Sequence, residues 1–206
     1  MDGGAMVCGL VLAAGASRRM GSVDKLLLPV EGAPMIRRVV RIALAAGLAP
    51  VVVVTPSPAG SVGRALEGLA VRLVENENAK QGLSSSLRRG LDEVPDQARG
   101  VVVLLGDMPW VSPNTVGALV SAFDQVGGQS PCVPVRGGRW GNPVLWPAAF
   151  VPEMRTLEGD RGARPLLDLH ADRVCEVPVD DEGIHRDLDT PADMVTLPPG
   201  RCPPTA

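Results

Sequence analysis

The chain has 206 residues, of which 45% are apolar and 21% charged, and its net charge is −3 at pH 7. This length suits one well-packed domain or, at most, two small ones. The negative balance excludes a bulk attraction to nucleic acid or to an anionic membrane, so any basic site must be local. Two Phe, three Trp and no Tyr are too few for an aromatic platform that stacks single strands.

Apolar strand-like runs alternate along the chain with helical stretches. The runs lie at residues 7–12, 51–54, 71–74, 101–105, 132–135 and 174–177, and the helical stretches at 34–46, 83–93 and 114–126. Near-continuous valine runs are typical of parallel strands buried on both sides. The alternation predicts a Rossmann-like α/β fold, with a mostly parallel, doubly wound sheet and helices on both faces. We expect a single domain at 1–197 and a disordered proline-rich tail at 198–206.

The cysteines and the apolar runs indicate in which cellular compartment the protein is expected. The four cysteines are scattered and contain no C-x-x-C pair, which favours free thiols in a reducing environment. No basic region precedes the first apolar run, and no run reaches transmembrane length. We therefore expect a cytoplasmic protein without membrane or nucleic-acid partners.

The first strand-like run ends in a loop rich in small and cationic residues. Beyond Leu12, Ala13 and Ala14, the loop contains Gly15, Ser17, Arg18, Arg19, Gly21 and Lys25. Small residues let backbone N–H groups approach an anion closely, while cationic side chains close over it. The glycine spacing matches neither a Walker A loop nor a dinucleotide fingerprint. On its own, the loop fits a triphosphate site and an ordinary strand-to-helix turn equally well.

A carboxylate follows another buried strand. The run at 101–105 leads into Gly106 and Asp107, at the sheet edge where the first loop would hold phosphates. Mg²⁺ usually takes one or two carboxylates plus phosphate oxygens, so Asp107 suits a metal site; a turn or a helix cap is the alternative. Asp187 and Asp189, in a strand predicted before a helix capped by Thr190, are candidates for a second carboxylate.

A polar cluster marks the start of the helix predicted at 83–93. It contains Asn78, Gly82, Ser84, Ser85 and Ser86. Hydroxyl and amide groups at a helix start suit an anion or the edge of a base, and serine also caps helices. At least one of the three serines is expected to serve as a cap.

Two more segments carry polar groups. The turn at 140–143 offers Trp140 as a lid over substrate, and the segment at 159–164 brings Arg161 and Arg164 to a helix start. Two guanidinium groups suit a clamp for a second phosphate-bearing substrate, although a solvated loop explains them equally well. His170 and His185 have no partner at metal-ligand spacing, so we do not expect zinc.

Six ordered motifs of this chain resemble those of the molybdopterin nucleotidyltransferase family, and most resemble molybdenum cofactor cytidylyltransferases. They are Leu-Ala-Ala-Gly-x-Ser-x-Arg-Met-Gly at 12–21 with Lys25, Gly-x-Ser-x-Ser at 82–86, Leu-Gly-Asp-x-Pro at 105–109, Gly-x-Pro-Val at 141–144, Gly-Asp-x-Gly-Ala-Arg at 159–164 and Asp-x-Asp-Thr-Pro at 187–191. The resemblance implies transfer of CMP from CTP to the terminal phosphate of a molybdopterin-type cofactor. Pyrophosphate would be released, and Mg²⁺ would be the cofactor.

The resemblance also implies a role for each matching residue. The catalytic residues would be Lys25, Arg18 and Asp107. The nucleotide would be bound by Leu12, Ala13, Ala14, Gly15, Ser17, Arg19, Gly21, Asn78, Gly82, Ser84, Ser85 and Ser86. The acceptor would be bound by Asn142, Arg161 and Arg164, and the metal by Asp107 and Asp189.

One position departs from the family pattern. Asn142 stands where comparable cytidylyltransferases usually carry histidine; asparagine keeps hydrogen bonding but loses a titratable ring.

The resemblance also implies a preference for one nucleotide. Ala14 lies in a Leu-Ala-Ala-Gly motif that goes with CTP in the family, whereas guanylyl-transferring relatives carry Leu-Ala-Gly-Gly.

The residues and the resemblance leave other functions open. The alternatives are transfer from GTP or to another phosphorylated acceptor, a non-catalytic protein that binds and delivers the cofactor, and an oxidoreductase, as some relatives are labelled. The partners implied are CTP or another NTP, a phosphorylated pterin, and a molybdoenzyme or its maturation factor.

Overall fold

Eight strands of the described residues form one sheet, and two more form a small ribbon. The computed structural model describes residues 6–15 and 24–188. The sheet contains β1 (Val7–Leu12), β4 (Val51–Thr55), β5 (Arg72–Glu75), β6 (Gly100–Leu105), β7 (Cys132–Arg136), β8 (Arg139–Trp140), β9 (Val144–Pro147) and β10 (Cys175–Pro178), and the ribbon contains β2 (Pro29–Val30) and β3 (Ala33–Pro34). The helices are α1 (Met35–Ala45), α2 (Ser61–Ala65), α3 (Leu83–Leu91), α4 (Pro113–Gln125), α5 (Val151–Met154) and α6 (Arg164–Leu169).

The sheet is mostly parallel, as predicted. Its strand order is β10-β7-β9-β6-β1-β4-β5, with β8 paired to β7. β1 lies between its parallel neighbours β4 and β6, β4 pairs in parallel with β5, and β7 pairs in parallel with β10. All six predicted strands are present with small shifts at their ends. The three predicted helices are present as α1, α3 and α4.

One long-range feature was missed by the sequence analysis: β9 runs antiparallel to both β6 and β7. Its four residues follow Pro143 and end at Pro147, and a short segment between two prolines resembles a loop. Val103 of β6 pairs with Val144. Because β9 is reversed, its amino end reaches the edge where β6 has its carboxyl end.

The core has two layers, one on each face of the sheet. Along β4, Val51 and Val53 enter one layer and Val52 and Val54 the other, as the period of two in a strand requires. Helices α1, α2 and α4 cover the first face, and α3, α5 and α6 cover the second. Helices on both faces confirm the doubly wound architecture. Within the described residues no helix combines the length and apolarity needed to cross a bilayer.

Free thiols contribute to this core. Cys8, Cys132 and Cys175 are unbridged, and the first two are buried. Burial raises the pKa of Cys8 to about 12. Burial, with the neighbouring Cys175 thiol, also raises the pKa of Cys132 to about 12; the two residues pair directly between β7 and β10. Both buried thiols are therefore protonated at neutral pH.

Candidate active site

The site begins where β1 and β6 end side by side. Leu12 pairs in register with Leu105, and the Gly106 N–H donates to the Leu12 carbonyl oxygen at 3.0 Å. A Cβ at Gly106 would lie 2.9 Å from that oxygen, so any side chain there would separate the two strand ends. Glycine at this position lets Asp107 follow directly beside the first loop.

Lys25 and Asp107 meet at this edge. Lys25 Nζ lies 2.8 Å from Asp107 Oδ2. Lys25 opens a 3₁₀ turn (Lys25–Leu27) whose start is capped by Asp24, which accepts from the Leu26 N–H at 3.1 Å. Leu26 is buried and anchors the turn. The structure thus joins two predicted catalytic residues that lie 82 positions apart in the sequence.

The second carboxylate oxygen of Asp107, Oδ1, is the one that does not face Lys25. This oxygen is buried and has no hydrogen-bond partner among the described residues. A buried carboxylate oxygen without a partner is costly, so it marks a place for a cation or a donor from a ligand. Asp107 is not the cap of the following helix, because Ser112 caps α4 by accepting from the Asn114 N–H. The alternative role foreseen for Asp107 at that helix is therefore wrong.

Leu188, the last of the described residues, contacts the backbone of Asp107. The Leu188 N–H donates to the Asp107 carbonyl oxygen at 3.0 Å, and Leu188 is buried. The strand predicted at Asp187 is wrong, because residues 186–188 form none; Asp187 is exposed. Asp189, the helix predicted after Thr190 and the tail at 198–206 lie outside the described residues.

The first loop is described only at its beginning. The Ala13 N–H donates to the Val54 carbonyl oxygen at 2.8 Å, which holds the loop against β4. Ala13 and Ala14 are buried, whereas Gly15 is exposed, and a Cβ built there would have no atom of the described residues within 4 Å. The predicted nucleotide-binding residues of the remaining loop, Ser17, Arg18, Arg19 and Gly21, lie outside the described residues.

Two of the three predicted serines belong to a buried network centred on Asn76. The Asn76 amide donates to Ser85 Oγ and Ser86 Oγ, both at 3.0 Å, and its oxygen accepts from the Asn78 N–H. Ser85 lies 2.9 Å from the Asn78 carbonyl oxygen. These hydroxyls therefore hold the start of α3 against Asn76 and Asn78. The prediction that one of the serines caps this helix is wrong, because the N-cap is Gly82 and no side chain of the described residues bonds the first N–H groups. Asn76 was not among the predicted site residues, although it follows a strand directly and lies in the same polar segment.

The start of α3 is also locked to the segment at 159–164. Gly82 has φ +102°, and a Cβ there would lie 2.6 Å from the Gly159 carbonyl oxygen and 2.5 Å from Asp160 Oδ1. The Ser84 N–H donates to the same Gly159 oxygen at 3.0 Å, while the Ser84 hydroxyl is buried without a partner among the described residues. The motifs at 82–86 and 159–164, which are far apart in the sequence, are thus in direct contact.

A cavity of about 200 Å³ lies beside this unit on the α3–α6 face of the sheet. It brings together Leu12 and the three predicted acceptor-binding residues, Asn142, Arg161 and Arg164. Its floor is apolar and includes Val103, Leu105, Val144, Trp146, Leu83, Leu87 and Leu167. An apolar cleft with a few polar groups at one side is the usual form of a small-molecule site.

Asn142 reaches the cavity because the turn before β9 is held against Ile184. Its N–H donates to the Ile184 carbonyl oxygen at 2.9 Å, and a Cβ at Gly141 would lie 2.7 Å from Ile184 atoms. Continuing the pairing of Val103 with Val144 sets Asn142 level with the end of β6. The residue that departs from the family pattern therefore lies at the same edge as Asp107.

The two arginines share one carboxylate. Arg161 Nη2 lies 3.3 Å from Asp168 Oδ2, and Arg164 Nε lies 3.4 Å from Asp168 Oδ1. Trp140 does not line the cavity; its ring lies 5.3 Å from the Arg164 guanidinium carbon, and its Nε1 donates to Glu176 at 2.6 Å. Trp140 is therefore a support behind Arg164 and not the predicted lid. Asp168 was missed although Arg164 lies four residues before it on α6, a spacing that pairs side chains on one helix face. Glu176 was missed because its partner Trp140 lies on another strand.

A mostly parallel α/β sheet with a lysine–carboxylate pair and a small-residue loop at its carboxyl edge defines a nucleotide-binding protein of the Rossmann-like class. The chain belongs to the molybdopterin nucleotidyltransferase family: it matches the MobA-like NTP transferase domain over residues 9–174. It is a nucleotidyltransferase of this class.

Relatives with different names align over most of the chain. Nicotine blue oxidoreductase of Paenarthrobacter nicotinovorans is 31% identical over 93% of this chain and 96% of its own length. A protein named "Probable molybdenum cofactor guanylyltransferase", of Natronomonas pharaonis, is 32% identical over 70% of this chain and 68% of its own. The Mycobacterium tuberculosis protein Rv0371c, solved in complex with manganese, is 30% identical with a TM-score of 0.72 and coverage of 91% and 95%.

Proposed function

We propose that this protein transfers CMP from CTP to the terminal phosphate of a molybdopterin-type acceptor, releasing pyrophosphate with Mg²⁺ as cofactor. The observation that carries the proposal is the Lys25–Asp107 pair, 2.8 Å apart at the ends of β1 and β6. In the reaction an acceptor phosphate oxygen bonds to the α-phosphorus of CTP, and the bond from that phosphorus to the β-phosphate oxygen breaks.

The residues at this edge fit a magnesium ion. Asp107 Oδ1 is a hard oxygen ligand, buried and without a partner among the described residues. No three His, Cys, Asp or Glu side chains cluster in the part of the chain that the structure describes, and Mg²⁺ in nucleotide enzymes commonly needs only one or two carboxylates plus phosphates. Asp189 is proposed as the second carboxylate, because Leu188 before it is bonded to Asp107. The manganese complex of Rv0371c supports a divalent metal.

In this proposal the residues of the protein position the two substrates and neutralise the charge of their phosphates. A phosphate nucleophile is already ionised at neutral pH, so transfer needs no strong general base. Lys25, together with Arg18, is proposed to hold the triphosphate and the charge that develops on pyrophosphate. A metal bound at Asp107 would supply further neutralisation of phosphate charge.

The remaining proposed contacts concern the nucleotide and the acceptor. The nucleotide is proposed to bind against the first loop and the start of α3, and the acceptor in the cavity, with Asn142, Arg161 and Arg164 toward its polar groups. Leu12 and Leu83 also line this cavity, so the two substrates would bind next to each other. Asp107 lies at the same edge of the sheet as Asn142, and the acceptor phosphate is proposed to meet the α-phosphate beside it.

A second candidate is transfer of GMP from GTP, and the relative named as a guanylyltransferase favours it. Pyrophosphate release should be measured with CTP and with GTP, each with and without molybdenum cofactor, over a magnesium titration. We expect release that requires CTP, acceptor and metal together. A preference for GTP would overturn the cytidylyl assignment, and no release with any NTP would favour a delivery protein.

The chain offers a matched control for Lys25. Lys25 and Lys80 are its two lysines, and Lys80 is exposed. Lys25→Ala should slow transfer by about 10²-fold, in the range of deleting one preorganised donor at a transition state. Lys80→Ala should stay within about two-fold of wild type, because exposed charges are well screened. Equal losses in both variants would refute the phosphate-binding role of Lys25.

A further inference from the structure

We propose that Trp140 and Glu176 are positioning residues that hold the Arg164 guanidinium at the wall of the cavity as the binding point for an acceptor's phosphate. The inference rests on the proposed function, which gives this cavity to the acceptor. Neither residue lines the cavity, so both would act through Arg164.

The ion pairs of Arg164 do not fix it. Arg164 and Asp168 have side chains that are 51% and 50% exposed, and their closest approach is 3.4 Å. Exposed pairs of this kind contribute little, because water screens the charges and two long side chains lose freedom. Asp168 is moreover shared with Arg161. One exposed carboxylate between two guanidinium groups leaves part of their N–H donors for an anionic ligand in the cavity.

The indole ring of Trp140 supplies the support that the ion pairs lack. The Arg164 guanidinium carbon lies 5.3 Å from the ring centroid, within the range of a cation–π contact. Stacking on a ring restricts the guanidinium plane but leaves its edge N–H groups able to form a bidentate bond with phosphate. Trp140 therefore orients the group without competing for its donors.

Glu176 in turn fixes the ring. Its Oε1 accepts from Trp140 Nε1 at 2.6 Å, a charge-assisted hydrogen bond that sets the orientation of the indole. Trp140 belongs to β8 and pairs with Val135 of β7, while Glu176 belongs to the adjacent β10. Both supports thus stand on the sheet, whereas Arg164 begins a helix. Through Glu176 and Trp140, the sheet thus fixes the position of the Arg164 guanidinium at the cavity wall.

A purely structural clasp between α6 and the sheet is the competing explanation, and kinetics separate the two. Trp140→Leu removes the ring and should raise KM for the acceptor about five-fold, since an exposed cation–π contact contributes about 1 kcal/mol and 1.4 kcal/mol is a factor of ten. KM for CTP and kcat should stay within about two-fold. Trp140→Phe keeps a ring face and should restore part of the affinity.

Glu176→Gln and Glu182→Gln form a matched pair. Glu182 is an exposed carboxylate that bonds Arg136 at 3.0 Å and does not line the cavity. Glu176→Gln should raise KM for the acceptor, whereas Glu182→Gln should leave it unchanged. An unchanged acceptor KM in Trp140→Leu would overturn the proposal. A loss in which kcat, both KM values and the unfolding temperature change together would assign the contact to structure alone.

A readout without turnover separates this inference from the proposed function. A dicarbonyl reagent modifies guanidinium groups, and peptide mass mapping reports the rate at Arg164. Inorganic phosphate should slow that modification in the wild-type protein and do so much less in Trp140→Leu. Absence of protection in the wild type would overturn the inference even if transfer occurs. Protection without transfer to any acceptor would reject the proposed function and retain a phosphate-binding Arg164.

Discussion

Replacing Asp107 by asparagine separates the chemical role of this residue from its structural one. The side chain keeps its size, but its bond to Lys25 Nζ at 2.8 Å loses one charge. The amide oxygen of the variant still accepts from the Lys25 ammonium, but that cation, whose side chain is 14% exposed, loses the counter-charge of Asp107. Removing one partner costs about 3–5 kcal/mol in a fully buried pair and about 0–1 kcal/mol in an exposed one, so we expect a loss of stability of about 2 kcal/mol. For a domain of this size that lowers the unfolding temperature by about 4–8 °C.

Turnover should fall much further than stability. Asp107→Asn removes the charged oxygen proposed to bind magnesium, and we expect a loss of about 10²–10³-fold or more in pyrophosphate release at saturating CTP. Added magnesium should not restore it. Circular dichroism and a thermal scan check the fold, with Asp180→Asn as a control because Asp180 is 99% exposed beside Arg136. Turnover within about ten-fold of wild type would refute the metal-binding role, and unfolding of the variant would support a structural one.

Three further predictions concern the base, the backbone and the buried thiols. The wild type should prefer CTP over GTP, and Ala14→Gly should relax that preference only modestly, since one methyl group is worth about 1–3 kcal/mol; kcat/KM for both nucleotides decides this. Gly82→Ala should lower the free energy of unfolding by about 1–3 kcal/mol or more, because φ is +102° and a Cβ would meet an atom at 2.5 Å. Gly117→Ala, with open space in α4, should not destabilise in the same denaturant assay. Because the pKa of Cys8 and of Cys132 rises from 9.0 to about 12 on folding, the stability that these thiols contribute should be full below pH 9 and be lost as the pH rises from 9 toward 12. Denaturant unfolding of the wild type and of Cys8→Ala from pH 8 to 11 tests this: the fall should be smaller in the variant, and equal falls in both proteins would contradict it.

The parallel part of the fold could be predicted because its signal is local. Valine runs identify strands buried on both sides, and the rule that parallel strands end at one edge was enough to bring Asp107 to the first loop. The close approach of Lys25 to Asp107 then follows. The roles assigned to the site residues stay predictions, and those of the first loop beyond Gly15 and of Asp189 also lie outside the described residues.

What the sequence did not reveal depends on contacts between distant segments. β9 has four residues and no alternation to distinguish it from a loop. Asn76 matters because of serines on the next helix, and Glu176 because of an indole on another strand. A strand was wrongly predicted at Asp187, since the alternation there reflects Leu188 binding back to the sheet edge and not a paired strand.

The reversed direction of β9 has a consequence for how the proposed acceptor site can be altered. Because β9 enters from the carboxyl edge, the polar side chains that line the cavity, Asn142, Arg161 and Arg164, all belong to one stretch of chain, 142–164, whereas part of its apolar lining belongs to β1, α3 and β6. Lys25 and Asp107 both precede that stretch in the chain. Changes confined to 142–164 would therefore alter the polar groups proposed to bind the acceptor and leave the Lys25–Asp107 pair in place.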